Sequence, residues 1–232
     1  MKIDAIVQAR MGSKRLPGKA MLNIEGKPLI GHIFDRLKRV KRISKIFLAT
    51  TTDNRNDLLV DYAKHKKIEF YRHKEENDII GRLNKILVLS QASAFLKVNG
   101  DCPLIDPKIL NKGILNYNNN PSLDMITNKL SNTFPLGFSY EIISTQVIKW
   151  CNVRLKSKED RELAMLWIMK NKKKFPNQID ISYKKKYGNY NLCVDTKEDF
   201  KLICNIFRHL YKKNNYFGIE EVISFLKSSA NK

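Results

Sequence analysis

The run IDAIVQARMGSKRLPGK, residues 3–19, decides how the rest of the chain is read. Ile3 to Ala9 is short and nearly continuously apolar, the pattern of a parallel strand buried on both faces. Arg10 to Lys19 then forms a basic loop with turn-permitting Gly12 and Gly18. In an open α/β sheet, a loop beyond a strand's carboxyl end lies where ligands bind. Four cations (Arg10, Lys14, Arg15, Lys19) and the Ser13 hydroxyl suit a chain of phosphates. Arginine grips phosphate oxygens in a fork, and lysine acts as a point charge. On charge alone, a basic surface loop is an equal reading. The spacing is not that of a P-loop: five residues separate Gly12 from Gly18 where four are required, and Ala20 replaces the magnesium-binding hydroxyl. Any metal must therefore be held by carboxylates from elsewhere.

Working outward, Pro28 opens a helical pattern through Leu29, Ile33, Leu37 and Val40. Strands are predicted at Lys45–Thr50, Ile68–Tyr71 and Phe95–Val98, alternating with helices at Asp57–Lys64 and Asp78–Ser93 and one beginning at Pro107. This βαβαβαβα order predicts an α/β fold, a mostly parallel sheet flanked by helices. Residues 123–190 are less regular, with strands near Met125 and Tyr140 and helices near Thr145–Val153 and Lys158–Lys172. They are expected to form a small appendage that meets the acceptor or a second subunit. Asn191–Val194 returns as a core strand with Asp195 directly after it, and helices at Lys197–Lys212 and Ile219–Lys227 follow. Without repeats, linkers or low-complexity tracts, residues 1–232 are expected to form one domain.

The composition, 43% hydrophobic, fits a globular chain with a core. No apolar run approaches the ~20 residues of a membrane span, and Asp4, Gln8 and Arg10 interrupt the N-terminal apolar stretch, so no signal peptide is read and a cytoplasmic location is expected. The four cysteines form no CxxC pair and read as reduced thiols, and the four histidines show no metal or triad spacing. The net charge of +20 raises nucleic-acid binding as an alternative. The cations are spread in short runs such as Lys172–Lys174 and Lys184–Lys186, without interleaved aromatics, which favours a small anionic substrate.

Asp101 and Asp195 each follow a predicted core strand, so both can stand at the same sheet rim. Magnesium takes such hard oxygen donors together with phosphates and waters. An aspartate before a helix can also be only its N-cap, and Asp195-Thr196 fits that description too.

Five ordered motifs sharpen the choice: QARMGSKRLPGK, GKPLIGHIFDRL (26–37), ATTTDNRND (49–57), NGDCPLIDP (99–107) and VDTKEDF (194–200). Together they resemble the sugar-activating cytidylyltransferases: CMP-Kdo synthetase, acylneuraminate cytidylyltransferase and, nearest, the spore-coat polysaccharide synthesis protein F type. The resemblance covers nearly the whole chain. It implies a GT-A-like nucleotidyltransferase fold, CTP as donor, a sugar or sugar-acid acceptor, Mg2+ as cofactor and a homodimer. It implies that Asp101 and Asp195 hold the metal and that Arg10, Lys19 and Asp101 carry catalysis. Ala9, Arg10, Gly12, Ser13, Arg15, Lys19, Asp78, Arg82 and Asn99 would meet the nucleotide. On the acceptor side the chain departs from the pattern. PLGFSYE (135–141) stands for a PDGLDVE-like stretch, keeping Glu141 but placing Ser139 where a carboxylate is usual, and a DREHVT-like segment has Leu163 in place of its histidine. Glu141 and Arg161 remain the acceptor candidates. The implied reaction is CMP transfer from CTP with release of pyrophosphate, for surface polysaccharide synthesis. The alternatives are nucleic-acid binding, or transfer from another nucleoside triphosphate to a sugar phosphate.

Overall fold

A computed structural model describes residues 1–212 and 216–230. In chain order the elements are β1 (Ile3–Gln8), β2 (Asn23–Ile24), β3 (Lys27–Pro28), α1 (Leu29–Leu37), β4 (Ile43–Thr51), α2 (Asp57–His65), β5 (Glu69–His73), α3 (Ile79–Ser90), β6 (Ala94–Asn99) and α4 (Pro107–Asn119). Then come β7 (Met125–Thr127), β8 (Glu141–Ser144), α5 (Thr145–Arg154), α6 (Lys158–Glu162), α7 (Ala164–Lys170), β9 (Gln178–Asp180), α8 (Lys197–Leu210) and α9 (Ile219–Ala230).

Side chains alternate across a strand, so β1 feeds two cores. Ile3, Ala5 and Val7 point into one with Phe34 of α1, Leu59 of α2, Ile114 of α4, Phe207 of α8 and Val222 of α9. Ile6 points into the other with Phe47, Phe95, Leu83 of α3, Ile148 of α5 and Ile168 of α7. Each fully buried side chain of this size contributes about 1.5–3 kcal/mol by leaving water.

Seven strands form one sheet in the order β5-β4-β1-β6-β8-β7-β9. β5, β4, β1 and β6 run parallel, and β8 runs antiparallel to both β6 and β7. From β1 the chain steps outward through β4 to β5, then returns to lay β6 on the other flank of β1. The sheet order reverses there, and such a switch point opens a crevice at the strands' carboxyl ends. Gln8, at the end of β1, is paired with both Ala49 and Asn99.

The structure departs from the sequence-based expectation in three places. The segment expected as an appendage contributes β7, β8 and β9 to the main sheet, because Ile126, Ile142 and Ile143 bury against it. Asn191–Val194 is not a strand of the sheet. It passes two loops, making one bridge to Leu136 and a bond from Val194 N–H to the Asp101 carbonyl at 2.9 Å, so no ladder repeats, although Leu192 and Val194 are buried. The helix expected over 158–172 breaks at Leu163: α6 buries none of its residues, whereas α7 turns Ala164, Met165, Ile168 and Met169 inward.

One aspartate ties two helices together. Asp106 Oδ1 accepts from Lys108 N–H at 2.8 Å and caps α4, while Oδ2 accepts from Ile219 N–H at 3.1 Å and caps α9. Asp106→Ala should lower the unfolding free energy in urea by about 2–4 kcal/mol, the loss of a cap together with an unpaired buried donor. A loss below about 1 kcal/mol would show that the two helices hold without it.

Candidate active site

The loop after β1 is pinned where it leaves the sheet. Met11 N–H donates to the buried Asn56 Oδ1 at 2.8 Å, and Gly18 N–H closes back on the Met11 carbonyl at 2.9 Å. Gly18 adopts φ +72°, a left-handed conformation that favours glycine, and it delivers Lys19 at the start of a short 3-10 turn. Across the crevice, Gly100 N–H donates to the Gln8 carbonyl at 2.8 Å; a Cβ at Gly100 would sit 2.5 Å from Ala9 Cβ. The tip of β6 can therefore press against the end of β1, and Asp101 follows directly.

Three distant parts of the chain meet on one ammonium. Lys19 Nζ lies 2.9 Å from Asp101 Oδ2, 2.9 Å from Asp195 Oδ1 and 2.7 Å from the Val194 carbonyl. Arg15 adds a contact to Asp195 Oδ2 at 3.0 Å. The Lys19 side chain is only 13% exposed, so these charges act through little solvent. Burial alone would push the Lys19 ammonium down, but Asp101 and Asp195 outweigh it and hold it above its ordinary value. Burial opposes the Asp195 charge as well, yet Lys19 and Arg15 hold that carboxyl below its ordinary range.

A cleft of about 430 Å³ opens beside this cluster. Arg10, Ser13, Lys14, Arg15 and Lys19 of the loop line it, together with Ala9, Arg82, Asn99, Asp101 and Asp195. Arg82 is 5% exposed; burial first, and then the charge of Arg10, push its guanidinium below its ordinary value. Its Nη2 donates to the Glu76 carbonyl at 2.5 Å, while Nε has no hydrogen-bond partner among the described residues. Two arginines crowding one wall is an arrangement that an anion relieves. Glu76 forms an ion pair with Arg10, and Glu76 and Glu162 line the cleft; the sequence reading singled out neither.

The other candidates sit apart from this wall. Gly12 is packed near Arg55 and does not line the cleft. Asp78 caps α3 through Gly81 N–H at 2.9 Å and pairs with Arg161, whose Nε and Nη2 lie 2.9 and 3.0 Å from its oxygens. Arg161 Nη1 also donates to the Asn152 and Leu155 carbonyls. This pair buckles α3 to the α5–α6 corner. Glu141 lies in an adjoining pocket of about 220 Å³, which shares Ile79 and Glu162 with the main cleft. Glu141 is 2% exposed and pairs with Lys129 and, at 3.4 Å, with Lys97; burial opposes its charge, but the two lysines hold its carboxyl below the ordinary range. Lys97 also donates to Asn99 Oδ1 at 3.0 Å, which links the two pockets. A lysine inside the buried strand AFLKVN was the available signal for this cluster.

Known proteins resemble this chain in sequence and in fold. The sequence model of the cytidylyltransferase family matches residues 5–223. The spore coat polysaccharide biosynthesis protein SpsF of Bacillus subtilis is 26% identical over 216 residues, covering 90% of this chain and 85% of that protein. The 3-deoxy-manno-octulosonate cytidylyltransferase of Geobacter sulfurreducens is 32% identical over 129 residues, 56% of this chain, and the match spans only half of that relative's length. Among solved structures, a cytidylyltransferase from Leptospira borgpetersenii superimposes with a TM-score of 0.93 at 27% identity, covering 100% of this chain and 96% of the other.

The shifted charges set a pH dependence. Asp195 ionises below its ordinary 3.8, so the stability it lends is complete above about pH 4 and is lost as pH falls through its lowered value. Lys19 titrates above 10.5, so its share is complete below that pH and is lost as pH rises through the raised value. Lys19→Met should therefore flatten both the acid and the alkaline limb of unfolding free energy against pH, as read by urea denaturation from pH 2 to pH 11. Limbs as steep as those of the wild type would show that the cluster is not coupled.

Proposed function

The chain belongs to the cytidylyltransferase family, and on that premise we propose that it transfers CMP from CTP to a Kdo- or nonulosonate-like sugar acid, releasing pyrophosphate, in the synthesis of a surface polysaccharide. The observation that supports this reading most directly is the meeting of Asp101, Asp195 and the cationic loop at one cleft. Arg10, Arg15 and Lys19 would grip the triphosphate, with Ser13 assisting, and Arg82, beside Arg10, would supply an Nε donor that has no partner among the described residues. The acceptor oxygen attacks the α-phosphorus in line and pyrophosphate leaves. Such transfers rely on positioning and on neutralising the growing charge. Lys19, held charged by its carboxylates, and Arg10 face that charge.

Magnesium fits the donor set. Two hard carboxylates, Asp101 and Asp195, converge on the Lys19 ammonium, and these two residues would hold the ion once that ammonium turns to the phosphates. Bound there, Mg2+ would neutralise phosphate oxygens and polarise the attacking hydroxyl. Lys129 and Glu141, in the adjoining pocket, would meet the acceptor, and Leu163 and Leu166 make one of its walls apolar. The same two leucines are 46% and 43% exposed, and we assign this face to the pairing of two copies. No helix among the described residues is long and apolar enough to cross a membrane. We place the reaction in the cytoplasm, where nucleoside triphosphates are available.

With CTP, Mg2+ and a panel of sugar acids, the protein should release pyrophosphate, and CTP should raise its melting temperature more than ATP, GTP or UTP does. Asp101→Asn and Lys19→Ala should each lower turnover by ~10²–10³, the scale of losing one electrostatic contact to the transition state. Near-normal rates in either variant overturn the assignment. Indifference to all four nucleotides, with nucleic-acid affinity that falls steeply with salt, would move the reading to nucleic-acid binding.

A further inference from the structure

Two thiols meet behind the carboxylate cluster. Cys102 follows Asp101 directly and Cys193 precedes Asp195 by two residues. Their sulfurs lie 3.4 Å apart, and the Val194 N–H bond to the Asp101 carbonyl clamps the two backbones side by side. The Cys102 thiol also donates to Asp101 Oδ1 at 3.2 Å. Cys102 is 1% exposed, whereas Cys193 is half-buried, so an oxidant reaches the pair through Cys193. A disulfide needs its sulfurs about 2.05 Å apart, a short closure from the observed position.

We propose that Cys102 and Cys193 form a reversible disulfide that joins the segment carrying Asp101 to the segment carrying Asp195 and slows the reaction. The oxidant is a low-molecular-weight disulfide. The Cys193 sulfur attacks it, forming a mixed disulfide and releasing one thiol with its proton; the Cys102 sulfur then attacks Cys193 and expels the second thiol. Two protein thiols are oxidised and one disulfide is reduced. The crosslink removes the S–H donor from Asp101 and draws both segments inward, where Lys19 holds each carboxylate at 2.9 Å. A displacement of about 1 Å at such a site can cost ~10²-fold in rate. The effect on turnover rests on the cytidylyl-transfer reading, whereas formation of the crosslink does not.

The test incubates the full chain, stripped of metal by a chelating resin, with oxidised glutathione, and then maps its peptides by mass spectrometry. Pyrophosphate release is assayed before oxidation, after it, and after dithiothreitol. The expected result is a Cys102–Cys193 peptide, at least a tenfold fall in rate, recovery on reduction, and no fall in Cys193→Ser or Cys193→Ala. A crosslinked protein that keeps its full rate overturns the proposal, and so does modification of the half-buried Cys204 without any Cys102–Cys193 link. Should even the reduced protein release no pyrophosphate, the functional reading fails separately. The crosslink is then judged by peptide mass and by whether it changes the thermal shift with CTP, an unchanged shift overturning the proposed control.

Discussion

A single half-buried ammonium holds the carboxyl ends of β1 and β6 to the start of α8. Asp101 and Asp195 would repel each other if nothing lay between them, and Lys19 bridges both while also taking the Val194 carbonyl. The segment before Asp195 has few ladder bonds of its own, so the lysine does for it what a neighbouring strand does elsewhere in the sheet. At 13% exposure the contact is far less screened than a surface pair. Removing one partner from a part-buried cluster leaves an uncompensated charge, at a cost reduced by the water that reaches Asp101 and Asp195. The loop after β1, the tip of β6 and the approach to α8 are therefore one mechanical unit.

The second charged cluster works differently. Glu141, enclosed by Lys97 and Lys129, contributes little net stability once desolvation is counted, but it fixes two cations and one anion at defined points beside the main cleft. Asn99, bonded to Lys97, stands at the boundary between the two. The overall +20 charge thus has a local counterpart: a wall of arginines and lysines whose own carboxylates leave Arg82 Nε without a partner among the described residues.

The parallel half of the fold was legible because β1, β4 and β6 are apolar runs and the helices between them carry a clear 3.6-residue period. The other half was not, since strands of three or four residues such as β7 and β9 are too short to show a period, and their place is set by what they cover. The loop from Arg10 to Lys19 could be read locally because its four cations fall within ten residues. Asp101 and Asp195 could be placed only by assuming a shared rim, and the topology supplies that rim even though Asn191–Val194 is not a strand. Glu76 carried no pattern, being one exposed acid in a polar run. The thiol pair was invisible because its members lie 91 residues apart and meet only through folding.

The reversal of β8 has a consequence for how such proteins diverge. Because β8 runs against β6, its first residue, Glu141, pairs with Lys97 near the end of β6, at the rim where the parallel strands finish. The connection from β7 to β8 therefore both leaves and re-enters the sheet beside the pocket lined by Lys97, Lys129 and Glu141. Exchanges near Lys129 can reshape that pocket while the registers of β1, β4 and β6 stay untouched. Further along the same connection Leu136 bridges Asn191 ahead of Asp195, so changes there reach the carboxylate cluster, whereas changes at its start are free to drift.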